Sequence, residues 1–155
     1  MLQLPNDVIA AIYDHARAEY PRECCGAVFS VERDGELAWD VVRCVNIQDR
    51  LHAQDPARFP RDARTAYAID PQELWAINRR ADEPGQRLAV LYHSHPDADA
   101  YFSQEDFAFA APWGEPAYPG VVYLIVSVRR GAVAGHKLFG WDAPRATFTE
   151  LSAAV

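Results

Sequence analysis

A mostly apolar run, Arg87-Leu88-Ala89-Val90-Leu91-Tyr92, ends directly in His93-Ser94-His95-Pro96, and Ser103 and Asp106 follow after a short gap. Written as a pattern, the stretch is H-S-H-P-x6-S-x-x-D, and it dictates strand, loop and helix in that order. The run reads as a buried strand. Two His at i and i+2 of an extended strand point to the same face, so both imidazoles can reach one point in space. Pro96 disfavours the α region for the residue before it and holds His95 extended beside His93. Asp97 to Phe102 form the loop. Ser103-Gln104-Glu105-Asp106 then opens a helix, with Ser103 at the N-cap and Asp106 on the first turn.

Each half of this pattern is ordinary alone. S-x-x-D is a common helix start, and His-x-His at a strand end is more often a hydrogen-bonded surface pair than a metal site. Together they bring two imidazoles and one carboxylate within reach of one ion. Zinc bound by three protein groups keeps a fourth position open, the arrangement of catalytic sites. With neutral imidazoles and one carboxylate the complex keeps about one positive charge, enough to acidify water and polarise a carbonyl. Iron and copper also accept these ligands, so zinc is the expected metal without being the only one allowed.

His93-Ser94-His95-Pro96, Ser103 and Asp106 resemble the signature of the JAMM (MPN, Mov34-type) metalloprotease family. Pro21-Arg22-Glu23-Cys24-Cys25-Gly26 is similar to the upstream segment of its short stand-alone bacterial branch. Asp55-Pro56-Ala57-Arg58-Phe59-Pro60 and Ala66-Tyr67-Ala68-Ile69-Asp70-Pro71 resemble the same branch. The resemblance implies one zinc per chain held by His93, His95 and Asp106, with Glu23 as general base and Ser103 as donor to the developing oxyanion. It implies a cytidine-deaminase-like α/β core, with a mixed sheet flanked by helices. One departure is visible: many relatives have proline before the signature serine, and Phe102 stands there, which is expected to alter the approach to the site.

The activity implied is zinc-dependent hydrolysis of a peptide or isopeptide bond. Its substrate would be the C-terminal tail of a ubiquitin-like or sulfur-carrier protein, and its nucleophile a water activated at the metal. Such a tail would bind as an added strand along a sheet edge or under residues 46–64. A non-catalytic scaffold of the same fold is the alternative. A nucleoside deaminase of the related fold would need H-x-E and P-C-x-x-C, and the sequence has neither.

Composition fits a small enzyme. A chain of 155 residues, 50% of them hydrophobic, has the size of one domain spanning residues 1–155 and can bury a core beside a cleft. A formal charge of -7 and a pI near 5.1 give no basic footprint for nucleic acid or a polybasic membrane contact. No signal-peptide pattern opens the chain, no apolar run reaches the roughly 18 residues that span a bilayer, and a cytoplasmic location is expected. Cys24, Cys25 and Cys44 form an odd set that argues against a disulfide framework. Cys24 and Cys25 adjoin Glu23, but their apolar run suits a buried strand better than a nucleophile. His15, His52 and His136 gain no role.

The pattern predicts an amphipathic helix over about Asn6 to Tyr20, with Val8, Ile9, Ile12 and Ala16 on one face and Pro21 ending it. Strands over Cys25 to Arg33 and Glu36 to Val45 should pair through Asp34-Gly35. Residues 46–64 show no periodicity and read as a long functional or mobile segment. Thr65 to Ile69 reads as a short strand. Asp70-Pro71-Gln72-Glu73 opens a helix ending near Ala81, with an Asp cap and Glu73 in the capping-box place. Val121 to Val128 suits a central strand, and Gly135 to Trp141 and Ala146 to Leu151 suit edge strands.

Overall fold

The computed structural model describes residues 2–152. Alternating helical and extended stretches build one six-stranded sheet of order β2-β1-β3-β4-β5-β6 with four helices. The elements are α1 (Asn6–Glu19), β1 (Cys25–Arg33), β2 (Glu36–Cys44), α2 (Gln48–Gln54), α3 (Pro71–Ala81), β3 (Gln86–Pro96), α4 (Gln104–Ala110), β4 (Val122–Arg129), β5 (Ala132–Asp142) and β6 (Thr147–Leu151). Only β3 and β4 run parallel, and the connection between them carries α4. The α/β class expected from the sequence is the one observed.

Helical periodicity gives α1 a buried stripe of Val8, Ile12, His15 and Ala16. That stripe packs on one face of the sheet against Val28, Val90, Leu124 and Val126. The opposite face carries Phe29, Leu91, Tyr123 and Ile125 beneath Ile77 of α3 and Ala110 of α4. Covered on both faces, β3 is buried from Leu88 to His95, and burying each aliphatic side chain there contributes about 1.5–3 kcal/mol. Alternation sends Leu91, His93 and His95 toward the α3 and α4 side, and Tyr92 and Ser94 toward α1. On the α1 side Tyr92 Oη meets His15 Nδ1 at 2.7 Å, and Ser94 Oγ accepts from the Cys24 N–H at 2.7 Å. Gly26, opposite Tyr92 in the ladder, makes room for that ring, because a Cβ there would stand 2.4 Å from the phenol and from Val42 O.

Asp34 and Gly35, with φ of 53° and 79°, form the turn expected between β1 and β2. Four expectations need correction. The stretch 46–64 contains a helix, α2, with no apolar stripe to reveal it: its buried residue is Gln48. Its anchors are polar, since Asn46 Oδ1 accepts from Gln48 N–H at 3.0 Å and Asp49 Oδ1 from Ala63 N–H at 2.7 Å. Thr65 to Ile69 is not a strand beyond the single bridge Asn46–Ile69, because the Asn46 side chain takes the hydrogen bonds a ladder would have supplied. Glu73 forms no capping box: its carboxylate accepts from Val45 N–H at 2.9 Å, just beyond the end of β2. Finally, β5 is no edge strand, because β6 pairs along its outer side, and it starts at Ala132 with a shift in register against β4 near Ser127. No described helix is long and apolar enough to cross a membrane.

Candidate metal centre

The carboxyl end of β3 reaches the end of its parallel pairing with β4, where His95 lies opposite Ser127. Ligand sites in open α/β sheets form at such strand ends. The loop that follows is tied down at successive residues. Asp97 accepts from Tyr20 Oη at 2.7 Å and from Arg130 N–H at 2.8 Å, and Ala98 O accepts from Ser127 Oγ at 2.6 Å. Asp99 O stands 2.9 Å from His95 Nδ1. A carbonyl can only accept, so Nδ1 carries the proton and His95 Nε2 offers a lone pair.

That lone pair faces two other groups, the His93 imidazole and the Asp106 carboxylate. His93 Nε2 lies 3.2 Å away, His93 Nε2 lies 3.1 Å from Asp106 Oδ1, and His95 Nε2 lies 3.7 Å from Asp106 Oδ2. Ligand atoms about 2.0–2.1 Å from a tetrahedral zinc stand roughly 3.3 Å apart. Two imidazole nitrogens and a carboxylate at such separations fit a divalent cation. All three residues are buried. Glu23 is buried as well, and one oxygen of it lies within 4.8 Å of ligating nitrogens of His93 and His95, so it too could complete a metal group.

Asp106 reaches the cluster through its capping box. Ser103 N–H donates to Asp106 Oδ2 at 2.9 Å, and Asp106 N–H donates to Ser103 Oγ at 3.0 Å. The structure places the five residues singled out from the sequence close together: Glu23, Ser103 and Asp106 line one cavity of about 520 Å³ with His95, and His93 lies behind Tyr67.

The two carboxylates are driven in opposite directions. Burial pushes Glu23 up to about 8, a rise that neighbouring His95 only partly offsets. Burial acts the same way on Asp106, but His93, His95 and the Ser103 N–H overcome it and hold that carboxyl far below the usual range. Burial lowers His93. For His95 burial is outweighed by Asp106 and the Asp99 carbonyl, which raise it. Burial also pushes the Cys24 thiol up to about 12 and raises Cys25, so neither offers a thiolate nucleophile.

Three features escaped the sequence reading. Tyr67 stacks on His93, with centroids 4.5 Å apart and planes 26° from parallel. Arg61 pairs with Glu105 at 3.1 Å, linking the segment before Tyr67 to α4 beside the cavity. Asn46 bonds both Glu23 and the Tyr67 segment. Phe102 corrects an expectation: it does not line the cavity but packs with Tyr123, Phe139 and Phe148, anchoring the start of α4 to the core.

Residues 5–141 match the family of prokaryotic homologs of the JAB domain. The chain belongs to this family. This JAB-domain chain is 31% identical to a desampylase of Haloferax volcanii, over 99% of its own length and 96% of the relative's. It is 26% identical to the CysO-cysteine peptidase of Mycobacterium tuberculosis, over 83% of its length and 75% of the relative's. A solved structure from Desulfitobacterium hafniense shares its fold, with a TM-score of 0.66 at 21% identity, covering 97% of this chain and 90% of that one. The resemblance read from His93, His95, Ser103 and Asp106 is borne out, and the chain is a JAMM-type peptidase or isopeptidase.

Proposed function

We propose that the chain hydrolyses a peptide or isopeptide bond at the C-terminal tail of a ubiquitin-like or sulfur-carrier protein. In this reading His93, His95 and Asp106 hold one zinc ion. The observation that carries it is the meeting of two imidazole Nε2 atoms and the Asp106 carboxylate, 3.1–3.7 Å apart, beside a buried Glu23. The names of the desampylase and the CysO-cysteine peptidase support the substrate class. The free cysteines fit a reducing compartment, and we assign the protein to the cytoplasm.

Zinc, when bound, supplies Lewis acidity that polarises a carbonyl and brings the pKa of water toward roughly 7. The divergent carboxylates then divide the remaining work, as two acids in different environments do. Asp106, held ionised, is the anionic ligand. Glu23, buried beside both imidazoles, takes a proton from the attacking water and returns it to the leaving amine. Ser103 Oγ accepts from Asp106 N–H, which leaves its own O–H free to donate to the carbonyl oxygen as charge develops there. Tyr67 covers the ring of His93 and keeps water from it.

The test is cleavage of carrier proteins bearing a tail extension, joined either through a peptide bond or through a lysine isopeptide, by protein loaded with one equivalent of zinc. Cleavage that chelator abolishes and zinc restores is expected for at least one linkage. Intact substrates of both kinds after prolonged incubation with the zinc-loaded protein would overturn the reading.

A further inference from the structure

The carboxamide of Asn46 has every hydrogen-bonding valence filled, by groups from three separate segments. Its Nδ2 donates to Glu23 O at 2.9 Å and to Ala66 O at 3.1 Å. Its Oδ1 accepts from Gln48 N–H at 3.0 Å and from Ala68 N–H at 3.1 Å. An amide has two N–H donors and an oxygen with two lone pairs, so nothing is left over. Two of the three segments carry side chains set against His93. Glu23 brings its carboxyl within 4.8 Å of the ligating nitrogens, and Tyr67, flanked by the bonded Ala66 and Ala68, stacks on the ring.

Neither segment has a regular element to hold it. Glu23 lies in the connection between α1 and β1, and residues 66–68 lie between a turn and a single bridge. Besides the carboxamide bond, the Glu23 backbone is fixed by its N–H donating to Ala63 O at 2.7 Å. That carbonyl belongs to the same irregular stretch of chain as Ala66.

We propose that Asn46 is the positioning residue of this site: one side chain sets Glu23 and Tyr67 at a fixed spacing about His93. The proposal rests on Glu23 acting as the proton carrier. Asn46 touches none of the reacting groups, and acts by removing the freedom of the carboxyl that must meet water and leaving group in turn. Misplacement of such a group by about 1 Å can cost roughly 100-fold in rate. The ligands themselves stand on β3 and α4, outside the reach of Asn46, so metal binding should survive its loss.

Two variants separate the halves of the carboxamide. Asn46→Asp keeps both acceptor bonds and loses both donor bonds, whereas Asn46→Ala loses all four. Zinc affinity measured by competition with a chromophoric chelator should stay within about 3-fold of the parent in both, because outer-shell changes that do reach a metal cost 10–100-fold. Turnover of a cleavable tail substrate, counted per folded zinc-loaded chain, should fall at least about 10-fold in Asn46→Asp with KM within about 3-fold, and counting folded chains removes the loss that mere destabilisation produces. Amide exchange at Ala68 should rise in Asn46→Ala and remain slow in Asn46→Asp. A turnover number for Asn46→Asp equal to the parent's overturns the proposal. Should the zinc-loaded parent cleave no tail, the functional reading has failed, and the exchange data still judge the tether: unchanged protection at Ala68 and around Glu23 in folded Asn46→Ala overturns it.

Discussion

Ser103 and Asp106 exchange hydrogen bonds at 2.9 and 3.0 Å, so the carboxylate that closes a helix cap is also the one that faces His93 and His95. A cap normally needs only one oxygen. Here Oδ2 serves the Ser103 N–H while Oδ1 turns to His93, and the two contacts together fix the carboxylate plane. The double duty makes the two functions separable by experiment.

Asp106→Ala removes the proposed third ligand and an acceptor for the cap. Metal affinity should fall by more than about 100-fold, beyond the range for outer-shell changes. Melting in chelator should also reveal a loss of about 0.5–2 kcal/mol, because both cap hydrogen bonds run between Ser103 and Asp106 themselves. Stoichiometric zinc in the purified variant, measured by elemental analysis, would reassign the third ligand to Glu23, the other carboxylate near both imidazoles.

Glu23→Gln keeps size and shape and removes the proposed base. Zinc content should match the parent's while turnover drops by roughly 10²–10⁴-fold. Loss of metal in this variant would make Glu23 a ligand. Parental turnover would remove it from the chemistry altogether.

Ser103 offers a contrast between rate and stability. Ser103→Ala should cost about 0.5–2 kcal/mol as a lost cap and lower turnover by roughly 10²–10³-fold as a lost oxyanion donor. Ser103→Asp retains a capping oxygen but sets a negative charge toward the developing oxyanion. It should fold, bind zinc and be inactive, as checked by melting, metal analysis and rate. Full activity in Ser103→Asp would reduce the hydroxyl to a cap.

The metal-free protein should carry a pH signature from Glu23, whose carboxyl burial raises from 4.5 to about 8. A raised folded-state value means that the native chain holds this proton more tightly than the unfolded chain. The resulting stability is complete below about pH 4.5 and is lost as the pH rises to about 8. Glu23→Gln cannot ionise and escapes that loss. In chelator the difference in stability, variant minus parent, should therefore grow between about pH 5 and pH 8.5 by up to a few kcal/mol, since one pKa unit corresponds to about 1.36 kcal/mol. A difference independent of pH across that interval would place the Glu23 carboxyl in ordinary solvent-like surroundings.

What could be read from the chain follows from how each residue is held. His93 and His95 were legible because strand geometry alone puts i and i+2 on one face, and Asp106 because a helix cap has a fixed three-residue spacing. Glu23 sits in an irregular connection, 70 residues upstream of His93, and only the family resemblance brought it in. Asn46 and Tyr67 were silent for a related reason. Their segments are shaped by one carboxamide rather than by a periodic apolar pattern, and periodicity is what sequence reading detects. The same cause hid α2, whose buried anchor is Gln48. Phe102 was expected to alter the approach to the site and packs in the core instead, since an aromatic residue before a cap can turn to cleft or core and the partners Tyr123 and Phe148 decide it.

The strand order governs how a substrate can arrive. The strand bearing His93 and His95 is third from the β2 edge and fourth from the β6 edge. Neighbouring strands lie about 4.8 Å apart. A chain annealed outside β2 would thus run three spacings, about 14 Å, from the imidazoles, and one outside β6 about 19 Å. Neither flank can deliver a scissile bond. On the proposed function, the tail would come end-on, past the carboxyl termini of the parallel pair and into the cavity between Tyr67 and α4. A carrier protein cleaved as proposed would keep its body outside that slot, with the cleavable bond a few slender residues beyond its folded part.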